Sequence, residues 1–300
     1  MISVGIFNGY FPYDLATSIR KMKDAGMSCV QLDLSFKDMD LTPGTLTAEK
    51  CHRIRDAFRD ASLPVVAISA YTNLLSPDRK KRAENFAYVK ELLKFARDLG
   101  TPYVISETGT YNTESDWVWD DQNGSETAFA EICAVIKELA VYAYEHDAVF
   151  LVENYVNNII GSVEQVLRLF AAVDHPGLGL LMDPTNYFTG QNIGSMDEEL
   201  NRIFDALGDR IKIAHAKDCK LAADTAEKHA DIDASESHTF RGAGDVELPA
   251  AGLGTLNYEL YLKRLSKLHP NIPIVIEHLD EPDVPRAKKF LDDVLKKIGG

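Results

Sequence analysis

Four residues of types that bind metal ions follow apolar runs in the second half of the sequence. Glu153 follows Phe-Leu-Val, Asp183 follows Leu-Leu-Met, His215 follows Ile-Lys-Ile-Ala and Glu277 follows Ile-Val-Ile. Three carboxylates and one imidazole form a hard donor set of oxygen and nitrogen, which suits Mn²⁺, Mg²⁺, Co²⁺ or Zn²⁺ better than an ion that prefers thiolates. Without a cation, three carboxylates in one place would repel one another, and one would be forced to hold a proton. These residue types therefore predict a divalent-metal site.

Each of these residues, taken alone, also has an ordinary structural explanation. A carboxylate just after a strand often caps the following helix or interacts with its dipole. Capping does not require the same position in successive units, whereas these four residues follow four successive apolar runs, so we favour a shared site. Asp33, which follows an earlier apolar run, remains assigned to the surface or to a rim.

The elements that carry these residues must bring them to one end of the fold. Short β-branched runs alternate eight times with stretches of helical period, which is typical of a parallel sheet. The predicted strands are Ile2–Phe7, Cys29–Leu32, Val65–Ala70, Tyr103–Ser106, Phe150–Glu153, Gly179–Asp183, Ile211–His215 and Ile274–Glu277. The predicted helices are Leu15–Gly26, Ala48–Ser62, Arg79–Gly100, Ser125–His146, Ser162–Val173, Met196–Gly208, Leu256–Leu268 and Pro285–Ile298. Eight such units, with no Gly-x-Gly-x-x-Gly after the first strand, favour an α/β fold that is a single (β/α)8 TIM barrel.

Composition and charge limit the partners that we expect. No linker or charge block divides residues 1–300, so we predict a single domain with its active site at the C-terminal ends of the strands. Lys and Arg number 32 against 46 Asp and Glu, and the net charge of −14 disfavours nucleic acid. No secretory pattern, no long apolar run and no Cys-x-x-Cys pair occurs, which predicts a cytoplasmic protein without a membrane anchor. The sequence leaves the oligomeric state open, including a homo-oligomer.

Several segments around the four residues resemble the sugar phosphate isomerase/epimerase family, a branch of the xylose-isomerase-like barrels. That branch also includes ketose 3-epimerases, inosose dehydratases and endonuclease IV nucleases. The resemblance spans nearly the whole chain and rests on Leu-Val-Glu153-Asn154, Leu-Met-Asp183-Pro184-Thr-Asn186, His215-Ala-Lys217-Asp218, the Gly-Leu-Gly-Thr-Leu-Asn-Tyr segment at 252–258, and Glu277. It implies that Glu153, Asp183, His215 and Glu277 bind one divalent metal ion. It also implies that the two glutamates act as acid and base.

The chemistry of such a site can be argued from the residues. A metal that bridges a substrate carbonyl and the neighbouring hydroxyl stabilises the enediolate formed when a carbon-bound proton leaves. Glu153 and Glu277 can flank the bound sugar, so that one removes the proton and the other returns it. Return to the opposite face epimerises the carbon, and transfer to the adjacent carbon isomerises the sugar. Loss of a neighbouring hydroxyl would make the same site a dehydratase.

Four further residues are candidates for binding the carbohydrate substrate. Glu107 follows the fourth strand, and Lys217 lies two residues after His215 and so on the same face of the strand. Asn186 stands where epimerases of the family commonly have a histidine, and Tyr155 also replaces a frequent histidine. Arg241 lies among glycines in the long connection Cys219–Gly254, where it could contact an anion or hydroxyl.

We therefore predict a metal-dependent sugar, sugar phosphate or sugar acid isomerase or epimerase. The alternative is a metal-dependent lyase of the inosose dehydratase type. An endonuclease IV-like hydrolase ranks lower because it would need more histidines and a basic face. A non-catalytic sugar-binding barrel ranks low because the four-residue donor set is intact.

Overall fold

Eight parallel strands close into a barrel in the computed structural model, which describes residues 2–222, 240–241 and 245–299. The strand order around the barrel is β1-β11-β7-β6-β5-β4-β3-β2. These strands are β1 (Ser3–Phe7), β2 (Cys29–Leu32), β3 (Val65–Ser69), β4 (Tyr103–Glu107), β5 (Val149–Glu153), β6 (Leu178–Met182), β7 (Ile211–Ala216) and β11 (Pro273–Ile276). The predicted (β/α)8 fold is confirmed, and the strand bounds differ from the prediction by a residue or so.

Within the described residues, eight α-helices alternate with the barrel strands, and apart from the end of the third they lie where the sequence predicted them. They are α1 (Leu15–Asp24), α2 (Ala48–Asp60), α3 (Arg79–Phe95), α4 (Glu126–Glu145), α5 (Val163–Val173), α6 (Met196–Leu207), α7 (Tyr258–Leu268) and α8 (Val284–Ile298). Side-chain oxygens of Asp14, Thr47 and Ser162 cap α1, α2 and α5 by accepting backbone N–H groups of the first turn. None of the described helices is long and apolar enough to cross a membrane.

Helix α3 is shorter than predicted, because the chain leaves α-helical hydrogen bonding before Gly100. The N–H of Ala96 donates to the carbonyl of Leu93, three residues earlier, and turns continue from there. Gly100 then adopts a φ of +98°, a conformation that is easy only for glycine. The glycine therefore ends the turn region that follows the helix rather than the helix itself.

A layer of apolar side chains fills the barrel interior, and a second layer lies next to it toward the carboxyl ends of the strands. The layer consists of Ala67, Ile105, Leu151, Leu181, Ile213 and Val275, all of them buried. Alternate residues of a strand face the same side, so the residues two positions later face the same interior. Those residues are Ser69, Glu107, Glu153, Asp183, His215 and Glu277. The pleat of the strands thus stacks a polar layer directly on an apolar one.

A small antiparallel sheet lies in the long connection after β7, where the sequence predicted only a loop. It contains β8 (Lys220–Leu221), β9 (Phe240–Arg241) and β10 (Val246–Leu248), in the order β8-β10-β9. The buried Asp218 carboxylate accepts hydrogen bonds from the N–H groups of Cys219, Gly252 and Leu256 at 2.9, 3.0 and 2.9 Å. These bonds fix the segment at 252–256 against the end of β7.

Candidate metal centre

Glu153, Asp183, His215 and Glu277 meet at the carboxyl end of the barrel. One donor atom from each residue lies within 4.8 Å of the others. The Nδ1 atom of His215 is 3.1 Å from Glu277 Oε2, 3.5 Å from Glu153 Oε1 and 3.6 Å from Asp183 Oδ2. The structure therefore brings together all four residues that the sequence predicted as metal ligands.

The bonding of these donor atoms fits a metal ion. His215 Nδ1 is completely buried and forms no hydrogen bond with any group in the described residues, whereas the buried Asp183 Oδ2 faces a cation, the ammonium group of Lys217, at 2.7 Å. Buried polar atoms are otherwise nearly always paired, because leaving one without a partner costs free energy. Asp183 Oδ1, in contrast, accepts hydrogen bonds from the N–H and the hydroxyl of Thr185 at 3.0 and 2.7 Å. The unpaired His215 nitrogen thus faces the three carboxylates, and Asp183 Oδ2 already faces positive charge, as expected for ligands of a cation.

Lys217 supplies a positive charge beside the candidate ligands. Its ammonium lies 2.7 Å from Asp183 Oδ2 and 3.9 Å from Glu153 Oε1. Burial by itself would raise the pKa of Asp183, but Lys217 and His215 reverse this effect and lower it. Burial also disfavours a charged His215 ring, yet Glu277 and Glu153 raise the pKa of that ring well above its ordinary value. The carboxylates therefore create a field that attracts positive charge to this point.

Other side chains hold the candidate ligands in place. The Tyr71 hydroxyl donates to Glu153 Oε2 at 2.5 Å, and the Asn186 amide donates to Glu153 Oε1 at 2.8 Å. Gln31 Oε1 lies 2.8 Å from His215 Nε2, and Gln31 Nε2 donates to Ser69 Oγ at 3.0 Å. Sequence reasoning missed Gln31, Ser69 and Tyr71. For Gln31 and Ser69 the available signal was a polar residue in an otherwise apolar strand, whereas Tyr71 lies two residues beyond the end of β3.

Glu107 lies beside the cluster without joining it. It is 9% exposed and lines a cavity of about 50 Å³ together with Tyr71, Asp116 and Trp117. Burial and the neighbouring Glu153 carboxylate raise the pKa of Glu107 well above its ordinary value. Both effects favour the protonated form of Glu107 over the carboxylate.

The remaining polar residues near the ends of the strands lie in different surroundings. Asn186 is buried against Glu153 rather than open to the mouth, and Tyr155 packs edge-on against Trp117 with ring centroids 6.2 Å apart. The backbone of Arg241 pairs with Glu247 in the small sheet, but its side chain lies outside the described residues. His278, which follows Glu277, points its Nδ1 atom at the Leu248 carbonyl, 2.9 Å away.

The comparisons with known proteins agree on the fold. A family model described as xylose isomerase-like TIM barrel matches residues 19–296. No curated protein matches the chain. Many solved structures match, including a xylose isomerase-like TIM barrel protein from Mycobacterium smegmatis in complex with magnesium, with a TM-score of 0.70 and 14% identity over 100% of this chain and 98% of that chain.

Two further solved structures carry the names of enzymes. The 3-keto-D-glucoside 4-epimerase from E. coli is similar with a TM-score of 0.66 and 14% identity, over 100% of this chain and 99% of that chain. The probable 3-DHS dehydratase from Bacillus anthracis is similar with a TM-score of 0.69 and 16% identity, over 97% of this chain and 99% of that chain. At these identities the similarity establishes a common fold.

Proposed function

Because this chain belongs to the xylose isomerase-like TIM barrel family, we propose that it is a divalent-metal-dependent isomerase or epimerase of a sugar or a sugar derivative, including sugar phosphates and sugar acids. The observation that carries the proposal is the buried donor set of Glu153, Asp183, His215 and Glu277. We place the active site at the carboxyl ends of the barrel strands, within one domain that covers residues 1–300. The similarity to a sugar epimerase supports this assignment.

These four residues would hold one divalent cation. When bound, the cation supplies positive charge that stabilises negative charge developing on a substrate oxygen. Mn²⁺, Mg²⁺, Co²⁺ and Zn²⁺ all accept carboxylate and imidazole ligands, and a magnesium complex of a similar barrel supports the choice of a hard ion.

Glu153 and Glu277 are the proposed acid and base. Glu153 is the last residue of β5, and Glu277 directly follows β11. Because β6 and β7 separate these two strands around the barrel, the two glutamates approach the mouth from different sides. One carboxylate takes the proton from the carbon beside the substrate carbonyl, and the electron pair of the broken C–H bond moves toward the carbonyl oxygen. The other residue, starting as the acid, returns a proton to carbon. The hydrogen bonds from Tyr71 and Asn186 hold the Glu153 carboxylate in one orientation for this transfer.

Lys217, Glu107, Asn186 and Arg241 are the proposed contacts to the substrate. Lys217 and Glu107 lie in the polar layer or next to it, and both can bond to sugar hydroxyls. The amide nitrogen of Asn186 already donates a hydrogen bond to Glu153. A contact with the substrate would therefore use the amide oxygen, which receives no hydrogen bond from the described residues. For Arg241, the proposed contact with the substrate rests on its position in the sequence alone.

A metal-dependent dehydratase is the second candidate, and the environment of Glu107 favours it. Burial and the Glu153 carboxylate raise the pKa of Glu107 and so favour its protonated form, which can protonate a hydroxyl as it leaves the substrate. The similarity to a probable dehydratase points the same way. We expect Glu107→Gln to abolish a dehydration but to leave proton exchange beside the carbonyl largely intact. A hydrolase of the nuclease type is less favoured, since the described donor cluster contains one histidine and the net charge is −14.

A solvent-exchange experiment tests the proposed function. The Mn²⁺-loaded protein is incubated in D₂O with ketoses, ketose phosphates and sugar acids, and proton NMR follows the C–H signal beside each carbonyl. We expect loss of that signal for at least one class of substrate, and no loss with Asp183→Ala. A dehydratase would also yield an unsaturated product. A protein that binds metal yet exchanges no substrate proton would contradict the proposal.

A further inference from the structure

Gln31 is a buried amide that reaches across the barrel to a candidate metal ligand. It lies in β2 between Val30 and Leu32 and has no exposed surface. Strands β1 and β11 separate β2 from β7, which carries His215, so the contact crosses the barrel interior. The pairing of β2 with β3 shifts register between Val30 and Gln31, an irregularity of the kind that redirects a side chain.

The orientation of the Gln31 amide follows from its neighbours. Its nitrogen lies 3.0 Å from Ser69 Oγ and 3.4 Å from Glu277 Oε1. A carboxylate oxygen only accepts hydrogen bonds, so the group that faces Glu277 must be the NH₂ and not the carbonyl. The Gln31 carbonyl oxygen therefore faces His215 Nε2 at 2.8 Å, and it accepts a hydrogen bond from that nitrogen.

We propose that Gln31 is a positioning residue that keeps the proton of a neutral His215 ring on Nε2 and so presents the Nδ1 lone pair to the metal ion. A neutral imidazole carries one proton, and the atom that holds it cannot bind a metal. Nδ1 is the atom that faces the three carboxylates, at 3.1 to 3.6 Å. This inference deepens the proposed function and rests on its metal site.

The same amide couples two candidate ligands. Gln31 bonds to His215 through its oxygen and approaches Glu277 through its nitrogen, while Ser69 holds that nitrogen in place. Removing the Gln31 oxygen would leave the Nε2–H of a metal-bound His215 buried without an acceptor. The metal-free ring can escape this cost by giving up the Nε2 proton and keeping a proton on Nδ1, toward the carboxylates, but the metal-bound ring, whose Nδ1 binds the metal, cannot. Loss of the oxygen therefore weakens metal binding rather than merely loosening the barrel.

Two substitutions of similar size separate this role from a general packing role. Gln31→Met fills the space but accepts no hydrogen bond of comparable strength, whereas Gln31→Glu keeps an oxygen for the Nε2–H. We expect Gln31→Met to weaken Co²⁺ binding by about 10- to 100-fold, the usual effect of losing such a partner. We expect Gln31→Glu to bind Co²⁺ more tightly than Gln31→Met. Competition with a chelating indicator measures both affinities in the full-length protein.

Thr101→Val is the matched control. Thr101 is a buried residue just before β4, at the opposite end of the barrel, and its hydroxyl donates to the Val66 carbonyl at 2.9 Å. This variant loses that hydrogen bond and the one that the hydroxyl accepts from the Tyr103 N–H at 3.2 Å, without touching the site, so its Co²⁺ affinity is expected to match that of the parent protein. The inference is overturned if Gln31→Met loses less than fivefold in affinity, or if Gln31→Glu binds no more tightly than Gln31→Met.

A measurement on the parent protein covers the case in which Gln31→Met does not fold. With ¹⁵N-labelled histidine and bound Zn²⁺, long-range proton–nitrogen spectra identify the nitrogen that carries the proton in each ring. We expect the His215 ring to be protonated at Nε2 and to bind zinc through Nδ1; the reverse arrangement would overturn the inference. If the parent protein binds neither Zn²⁺ nor Co²⁺, the proposed metal site itself fails, which is a different result from normal binding with an insensitive Gln31.

Discussion

The ammonium group of Lys217 lies 2.7 Å from Asp183 Oδ2 inside the mouth of the barrel, where only 5% of the lysine side chain is exposed. Asp183 is one of the four candidate metal ligands, so a resident cation already contacts the oxygen that would bind the metal. Asp183 follows β6, two residues beyond Leu181 of the apolar interior layer, and Lys217 follows β7, four residues beyond Ile213 of the same layer. The electrostatic consequences of this pair can be measured.

Replacing Lys217 by Met is expected to destabilise the metal-free protein. The substitution leaves the Asp183 carboxylate buried without its partner, and breaking a buried ion pair in this way costs about 3–5 kcal/mol of the free energy of unfolding. Saturating Mn²⁺ is expected to recover part of the loss, because the metal ion then faces Asp183. Urea unfolding with EDTA and with Mn²⁺ measures both effects.

Lys212→Met is the control for this prediction. Lys212 lies on β7, the strand that Lys217 follows, but is exposed, so its loss is expected to change the unfolding free energy by no more than about 0.5 kcal/mol. If Lys217→Met lowers the free energy of unfolding equally with and without Mn²⁺, the metal does not approach Asp183.

Metal content is expected to be about one divalent ion per chain after reconstitution, because the four donor atoms surround a single point. Either His215→Ala or Asp183→Ala removes a ligand and is expected to lower the occupancy. Elemental analysis after gel filtration gives the stoichiometry. A protein that takes up none of Mn²⁺, Co²⁺, Mg²⁺ or Zn²⁺ would refute the site, and two or three tightly bound zinc ions would favour a nuclease-type centre.

Metal affinity is expected to fall as the pH is lowered, because a proton competes with the metal for His215. Glu277 and Glu153 raise the pKa of the metal-free His215 ring, so competition begins above the ordinary histidine range near pH 6.5. Below the raised pKa, each metal ion that binds releases one proton, and the apparent affinity falls by about tenfold per pH unit. Above the raised pKa this dependence disappears.

Calorimetry in buffers of different ionisation enthalpy counts the released protons. His215→Gln lacks the titrating ring, so its weaker metal binding is expected to release about one proton fewer than the parent protein does at the same pH. An unchanged proton release in His215→Gln would assign the competition to another group.

Replacing Glu153 or Glu277 by Gln is expected to slow turnover by about 10²–10⁴-fold, because the amide keeps an oxygen for the metal but cannot accept the substrate proton. In an epimerase, each variant is expected to lose inversion, while the variant that keeps the abstracting base still exchanges the substrate proton with D₂O. Glu138→Gln, on the exposed face of α4, is the control. Variants with normal metal binding and near-parental turnover would exclude both glutamates as acid or base.

The candidate metal ligands were predictable because side chains along a strand repeat every two residues. Leu151 and Glu153, or Ile213 and His215, lie on one side of a strand, so an apolar interior residue followed by a polar one signals a polar layer in the sequence itself. The alternation of eight apolar runs with helical stretches likewise indicated the barrel, since parallel strands need long crossovers. These features are local, and the sequence alone determined them.

The partners of those ligands depended on closure of the barrel. Gln31 and His215 are 184 positions apart in the chain, and Tyr71 and Glu153 are 82 apart, so no local spacing links them. The small sheet after β7 was missed because its strands are two or three residues long and take their pairing from one another. The sequence therefore determined the four candidate ligands, and only the tertiary structure decided which partners and atoms meet them, because strands that are distant in sequence become neighbours when the barrel closes.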